Sequence, residues 1–112
     1  MLIDRIYQQL HSTRLARTHA IFSVKFLGRS ARYYDYLRCS RSEASVAALS
    51  TLAVRLAKVA DQFKATREWV SYADLLDAMA EEVWAEIEDR SYRDAWRAPK
   101  AQHALGVLTQ GR

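Results

Sequence analysis

The stretch FLGRSARYYDYLRCSR, residues 26–41, decides how the rest of the chain is read: behind a single glycine, Gly28, it gathers four arginines, three tyrosines and one aspartate. Leu15, Ala16, His19, Phe22 and Phe26 repeat at helical spacing just before it. Glycine adopts the left-handed conformation that closes a helix, so that helix is expected to end near residue 27. Ser30 is placed to cap the next one, its hydroxyl accepting from a free backbone N–H one turn on, and ARYYDYLRC then reads as about nine helical residues. In that register Tyr34 and Leu37 turn inward, while Arg32, Tyr33 and Tyr36 turn outward with Arg29 and Ser30 at the entrance.

Working outward, Leu2, Ile3, Ile6, Tyr7 and Leu10 form one stripe of a first helix. Downstream, Ser40-Arg41-Ser42-Glu43 has the spacing of a capping box. Val46, Leu49, Leu52, Ala53, Leu56 and Ala60 then continue a core helix to about Phe63. A break is expected between Thr66 and Val70, with Ser71 capping a long helix over roughly 71–90 whose stripe is Tyr72, Leu75, Leu76, Met79, Val83 and Ile87. With 3 Gly and 1 Pro in 112 residues, the material for frequent turns is missing. The expected fold is all-α, a small bundle of about five helices containing a helix-turn-helix. Its organisation reads as a single domain over 1–112: a helix-turn-helix-like bundle over 1–62, a C-terminal helical extension over 63–98 suited to dimerisation, and a tail over 99–112.

Charge divides the chain in the same place. Residues 1–58 carry ten basic against three acidic side chains, a net of +7, whereas 59–112 carry seven against ten, a net of −3. A basic half joined to an acidic half points only the first at a polyanion.

Several classes of function lose support. Cys39 is the only cysteine, so no intrachain disulfide or cysteine-based zinc site is expected, in keeping with a cytoplasmic protein. His11, His19 and His103 are too scattered for a metal site, and His19, on an apolar stripe, reads as a core residue. The run EEVWAEIED lines the outer side of one helix instead of converging in a cleft, and no glycine-rich phosphate loop or nucleophile elbow occurs, so no enzyme activity, cofactor or metal is expected. The N-terminus lacks the uninterrupted apolar segment of a signal peptide, and no apolar run approaches the roughly 20 residues that span a bilayer, so no membrane partner is expected.

Two helices separated by Leu-Gly-Arg-Ser, with a leucine-rich helix after them, resemble the helix-turn-helix domain of the Cro and phage-repressor type over about residues 1–60. FSVKFLG resembles the positioning helix, GRS the turn, SARYYDYLR the recognition helix and SVAALSTLAVRLA the supporting core helix. With Gly28 as the turn glycine, Val24 takes the small-residue position, and Ser23 and Arg29 stand where the family usually carries hydrophobic residues. Shifting by one residue restores those two but puts Leu27 at the glycine.

The resemblance implies a DNA-binding transcriptional regulator on double-stranded DNA. Arg29, Ser30, Arg32, Tyr33 and Tyr36 are the candidates for base contact, since arginine donates twice to guanine and tyrosine reaches phosphate oxygens or thymine methyls. Lys25, Arg38 and Arg41 are the candidates for phosphate contact. Asp35, one turn from Arg32, is placed to orient it or to solvate the helix. Trp69, Tyr72, Trp84 and Trp96 are candidates for a homodimer interface, because aromatic residues concentrate in interface cores. The competing expectation is a small helical adaptor or antiactivator that binds another protein through the same basic and aromatic surface.

Overall fold

A computed structural model describes residues 2–97, with the backbone alone for 94–97. The 99–112 tail therefore lies outside the described residues, as does the side chain of Trp96. The described chain is helices joined by short turns, without strands, a small all-α bundle. None of its helices is long and apolar enough to cross a membrane.

Helix α1 (Leu2–Ser12) buries Ile3, Ile6, Tyr7 and Leu10, the stripe its spacing predicts. Burying each of the larger apolar side chains contributes roughly 1.5–3 kcal/mol. It closes on Arg14, held left-handed at φ 66°, where the sequence offers no glycine. Helix α2 (His19–Ile21), capped by the Thr18 hydroxyl, widens into a π-helical turn over Phe22–Phe26. Helix α3 (Tyr33–Ser40) follows, then α4 (Val46–Lys64), a 3-10 turn (Arg67–Trp69) and the long α5 (Val70–Arg97).

Helices α4 and α5 form a hairpin and make the most extensive contact between any two elements. Ala48, Ala53 and Ala60 of α4 and Ala73 and Ala80 of α5 are buried, so small side chains let the two backbones approach while Leu52, Leu56, Leu76 and Val83 fill the seam. Arg90 ties the far end, donating to the Ala44 carbonyl and lying 3.7 Å from Glu43, and Lys64 pairs with Asp77 at 2.7 Å near the turn. Helix α1 is held beside α5 by Arg5–Glu82 at 2.9 Å and by a bond between the Thr13 and Tyr72 hydroxyls.

Three expectations about helix ends are corrected. Ser30 does not cap α3 with its hydroxyl; its backbone carbonyl accepts from Tyr33 N–H at 3.0 Å, and Arg32 occupies the N-cap position. The capping box at Ser40–Glu43 does not form, because α3 runs through Ser40 and ends on Arg41 at φ 53°; the cap of α4 is Ser45, whose hydroxyl accepts from Ala48 N–H at 3.1 Å. Helix α5 begins at Val70 and continues to Arg97, seven residues past its expected end, and Leu75 is exposed instead of sharing the buried stripe.

Candidate nucleic-acid interface

The junction between α2 and α3 is built from bonds that a sequence pattern does not display. In the π turn Leu27 N–H donates to the Phe22 carbonyl at 3.1 Å and Arg29 N–H to the Ser23 carbonyl at 3.0 Å. Each spans one residue more than the corresponding α-helical closure. Such a helix end leaves carbonyls without an intrahelical donor, and Arg55 of α4 supplies one: its Nη1 donates to the Val24 carbonyl at 2.8 Å and also to that of Lys25. Gly28 then reverses the chain at φ +64°, and a Cβ there would stand 3.0 Å from Thr51 Cγ2. Left-handed geometry and close approach to α4 both call for glycine at this position.

Ser23 locks the next step. It is wholly buried; its hydroxyl donates to the His19 carbonyl at 2.8 Å and accepts from Tyr34 N–H at 3.0 Å. A donor in the first turn of α3, which has no partner within its own helix, is thereby satisfied from the π turn. Ser23, not Val24, is thus the small residue facing α3, while Val24 is exposed.

Tyr34 and Leu37 are buried, 2% exposed each, so α3 seats on the side the sequence indicates. The Tyr34 ring packs against Tyr7, Phe22 and His19 with centroids 4.9–5.2 Å away, and its hydroxyl donates to Asp4 of α1. Burial, followed by the bond to Asp4, holds this phenol well above its ordinary pKa. His19 is half-buried, its Nδ1 2.5 Å from Asp35 Oδ1, so Asp35 is engaged by α2 and does not orient Arg32.

The five candidates for base contact separate into two groups. Arg32 and Tyr36 are exposed, Tyr36 at 61%, and Ser30 is exposed at the entrance. Arg29 and Tyr33 are instead drawn to the start of α4: the Tyr33 hydroxyl accepts from Ser45 N–H at 2.9 Å, Arg29 Nη2 donates to Ser45 Oγ at 3.1 Å, and the guanidinium lies 5.8 Å from the centroid of the Tyr33 ring. Of the candidates for phosphate contact, Arg38 lies 5.9 Å from the centroid of the Tyr34 ring and Arg41 is exposed at the end of α3. Lys25 is exposed beside Arg55 and Lys58 in a cleft between the π turn and α4, apart from the outer face of α3.

Among the interface candidates, Trp69 and Trp84 are half-exposed. Trp69 packs against Phe63 at 5.6 Å between centroids, and Tyr72 is half-buried beneath it. Among the described residues no cluster of three His, Cys, Asp or Glu is arranged to hold a metal ion.

A family profile matches residues 3–97, nearly all of the described chain. The chain belongs to DUF6626, a family of unknown function. No curated protein and no solved structure matches it. Membership of DUF6626 covers α1 through α5, so the long C-terminal helix is part of the family unit along with the helices around Gly28.

Proposed function

We propose that this protein is a cytoplasmic DNA-binding regulator that acts by occupying an operator, with α3 entering the major groove and no chemistry performed on the DNA. The observation that supports this reading most is the seat of α3. Its inner side is fixed by Ser23, Tyr34 and Leu37, while Arg32 and Tyr36 project outward, and Arg32 makes no ion pair among the described residues. A helix about 12 Å across fits the groove, and residues in its first turns reach base edges. Arg38 and Arg41 at the other end are available to phosphates. Asp35, the one carboxylate on this helix, is hydrogen-bonded to His19 and so does not engage Arg32.

Binding to duplex DNA across a salt series tests the proposal. Affinity is expected to fall steeply with salt, since each phosphate neutralised releases roughly 0.9 of a counterion. Arg32→Ala and Tyr36→Ala should each cost about 1–3 kcal/mol of specific binding with the helical signal and melting temperature nearly unchanged, and Arg38→Ala should lower the salt slope by about one. Arg67→Ala, on the turn between α4 and α5, should leave the slope alone. Absence of salt-sensitive binding to any duplex at roughly micromolar protein and low salt would transfer the reading to a helical adaptor for a protein partner.

A further inference from the structure

The cleft holding Lys25 is lined by no residue of α3. Its volume is about 580 Å³, within the range of small-ligand sites. Leu15, Val24, Phe26 and Val59 supply the apolar walls, and Lys25, Arg55 and Lys58 stand around them. No carboxylate is among the eight residues that line it. Lys25 and Lys58 make no ion pair among the described residues, in a molecule whose other lysine there, Lys64, is paired with both Asp61 and Asp77.

The π turn contributes to the cleft. Val24 stands 49% exposed next to Lys25 at this wall, on a turn wider than an α-helix allows, and such insertions recur at functional sites. Arg55 is already bonded through Nη1 to the carbonyls behind that wall, so its guanidinium is held in place before anything binds. Water serves the apolar walls poorly, and the cations lack a counter-charge.

We infer that this cleft binds a small amphipathic anion, an aliphatic or aromatic carboxylate whose apolar part lies against Val24, Phe26 and Val59 and whose charge meets Lys25 and Lys58. A lining of eight residues suits one alkyl or aryl group and falls short of the roughly 20–30 residues a side of a stable protein interface. The segment 98–112 has no acidic side chain and carries Lys100 and Arg112, so it lacks the complementary charge. The inference does not rest on the DNA reading.

Octanoate is the probe, titrated into the full chain without DNA and followed by calorimetry and by methyl chemical shifts. Saturable binding is expected, with shifts concentrated at Leu15, Val24 and Val59, and octan-1-ol and octylamine should bind at least about 10-fold more weakly because they lack the negative charge. Lys58→Glu and Val24→Ser, both at exposed positions, should each weaken octanoate by roughly 5-fold or more with helical content unchanged. Octan-1-ol binding as tightly as octanoate, octanoate indifferent to both substitutions, or no saturable binding would each overturn the inference. So would self-association without octanoate that Lys58→Glu abolishes, which would assign the cleft to the acidic helix of a second copy.

Discussion

Tyr34 joins three helices through one side chain and its own amide. Its N–H is taken by Ser23 of the π turn that continues α2, its hydroxyl by Asp4 of α1, and its ring by Tyr7, Phe22 and His19. Because burial and Asp4 raise the phenol above its ordinary value of 10.0, the folded protein keeps Tyr34 neutral at a pH where the unfolded chain ionises it. The associated stability is complete below about pH 10 and is lost as the pH climbs from there toward the folded-state value. Tyr34→Phe removes both the bond and this dependence. It should cost about 1–2 kcal/mol at neutral pH, and its denaturation midpoint should fall less steeply than that of the wild type between about pH 9.5 and 11.5. Tyr72, also raised by burial, keeps part of the slope in both proteins. Equal slopes would mean that Tyr34 is not the phenol whose ionisation the fold resists.

At the scale of elements, the sequence displayed what periodicity can encode and concealed what depends on contacts between distant residues. The apolar stripes of α1 and of α4, where Val46 alone of the expected stripe is exposed, the inward turn of Tyr34 and Leu37, and the glycine after α2 were legible, since each is a local spacing or a backbone requirement. Helix ends were not. Ser40 and Ser45 both suit an N-cap locally, and the choice falls to Ser45 because the Tyr33 hydroxyl, twelve residues earlier, accepts its N–H. Arg14 and Arg41 close helices in a conformation their residue type does not announce. Ser23 looked out of place among hydrophobic positions, yet its hydroxyl is what connects α2 to α3, and the π turn had no signal in the spacing at all. Helix α5 also leaves Trp84 half-exposed, and aromatic residues concentrate in interface cores. On the sequence-based expectation of a homodimer interface that includes Trp84, Trp84→Glu should shift the sedimentation coefficient to that of a monomer and weaken binding to a two-half-site duplex more than to a single half-site. A chain that sediments unchanged after that substitution does not dimerise through α5.

Across the whole molecule the two halves of the charge distribution meet along α5. Arg5 of the basic half pairs with Glu82 of α5, Arg90 of α5 pairs in the opposite sense with Glu43, and Lys64–Asp77 closes within the acidic half; each is worth about 0–1 kcal/mol where exposed, and none of them engages Arg32, Arg38 or Arg41 around α3. The hairpin of α4 and α5 also sets an order of events in time. Its partners are neighbours in sequence, joined by a turn of a few residues, so they meet at little loop-closure cost, whereas α1 and α3 must be brought back onto them across much longer stretches of chain. The hairpin is therefore expected to assemble first and to act as the template on which Gly28, Ser23 and α3 settle last. Leu52 and Leu37 are both buried, and truncating either to alanine should cost about 2–5 kcal/mol at equilibrium. In stopped-flow kinetics Leu52→Ala should chiefly slow folding and Leu37→Ala should chiefly speed unfolding. The reverse assignment would make the segment around α3 the nucleus. With the hairpin forming first, the surface around α3 is also expected to come apart first, so amide exchange there should be faster than along the α4–α5 hairpin.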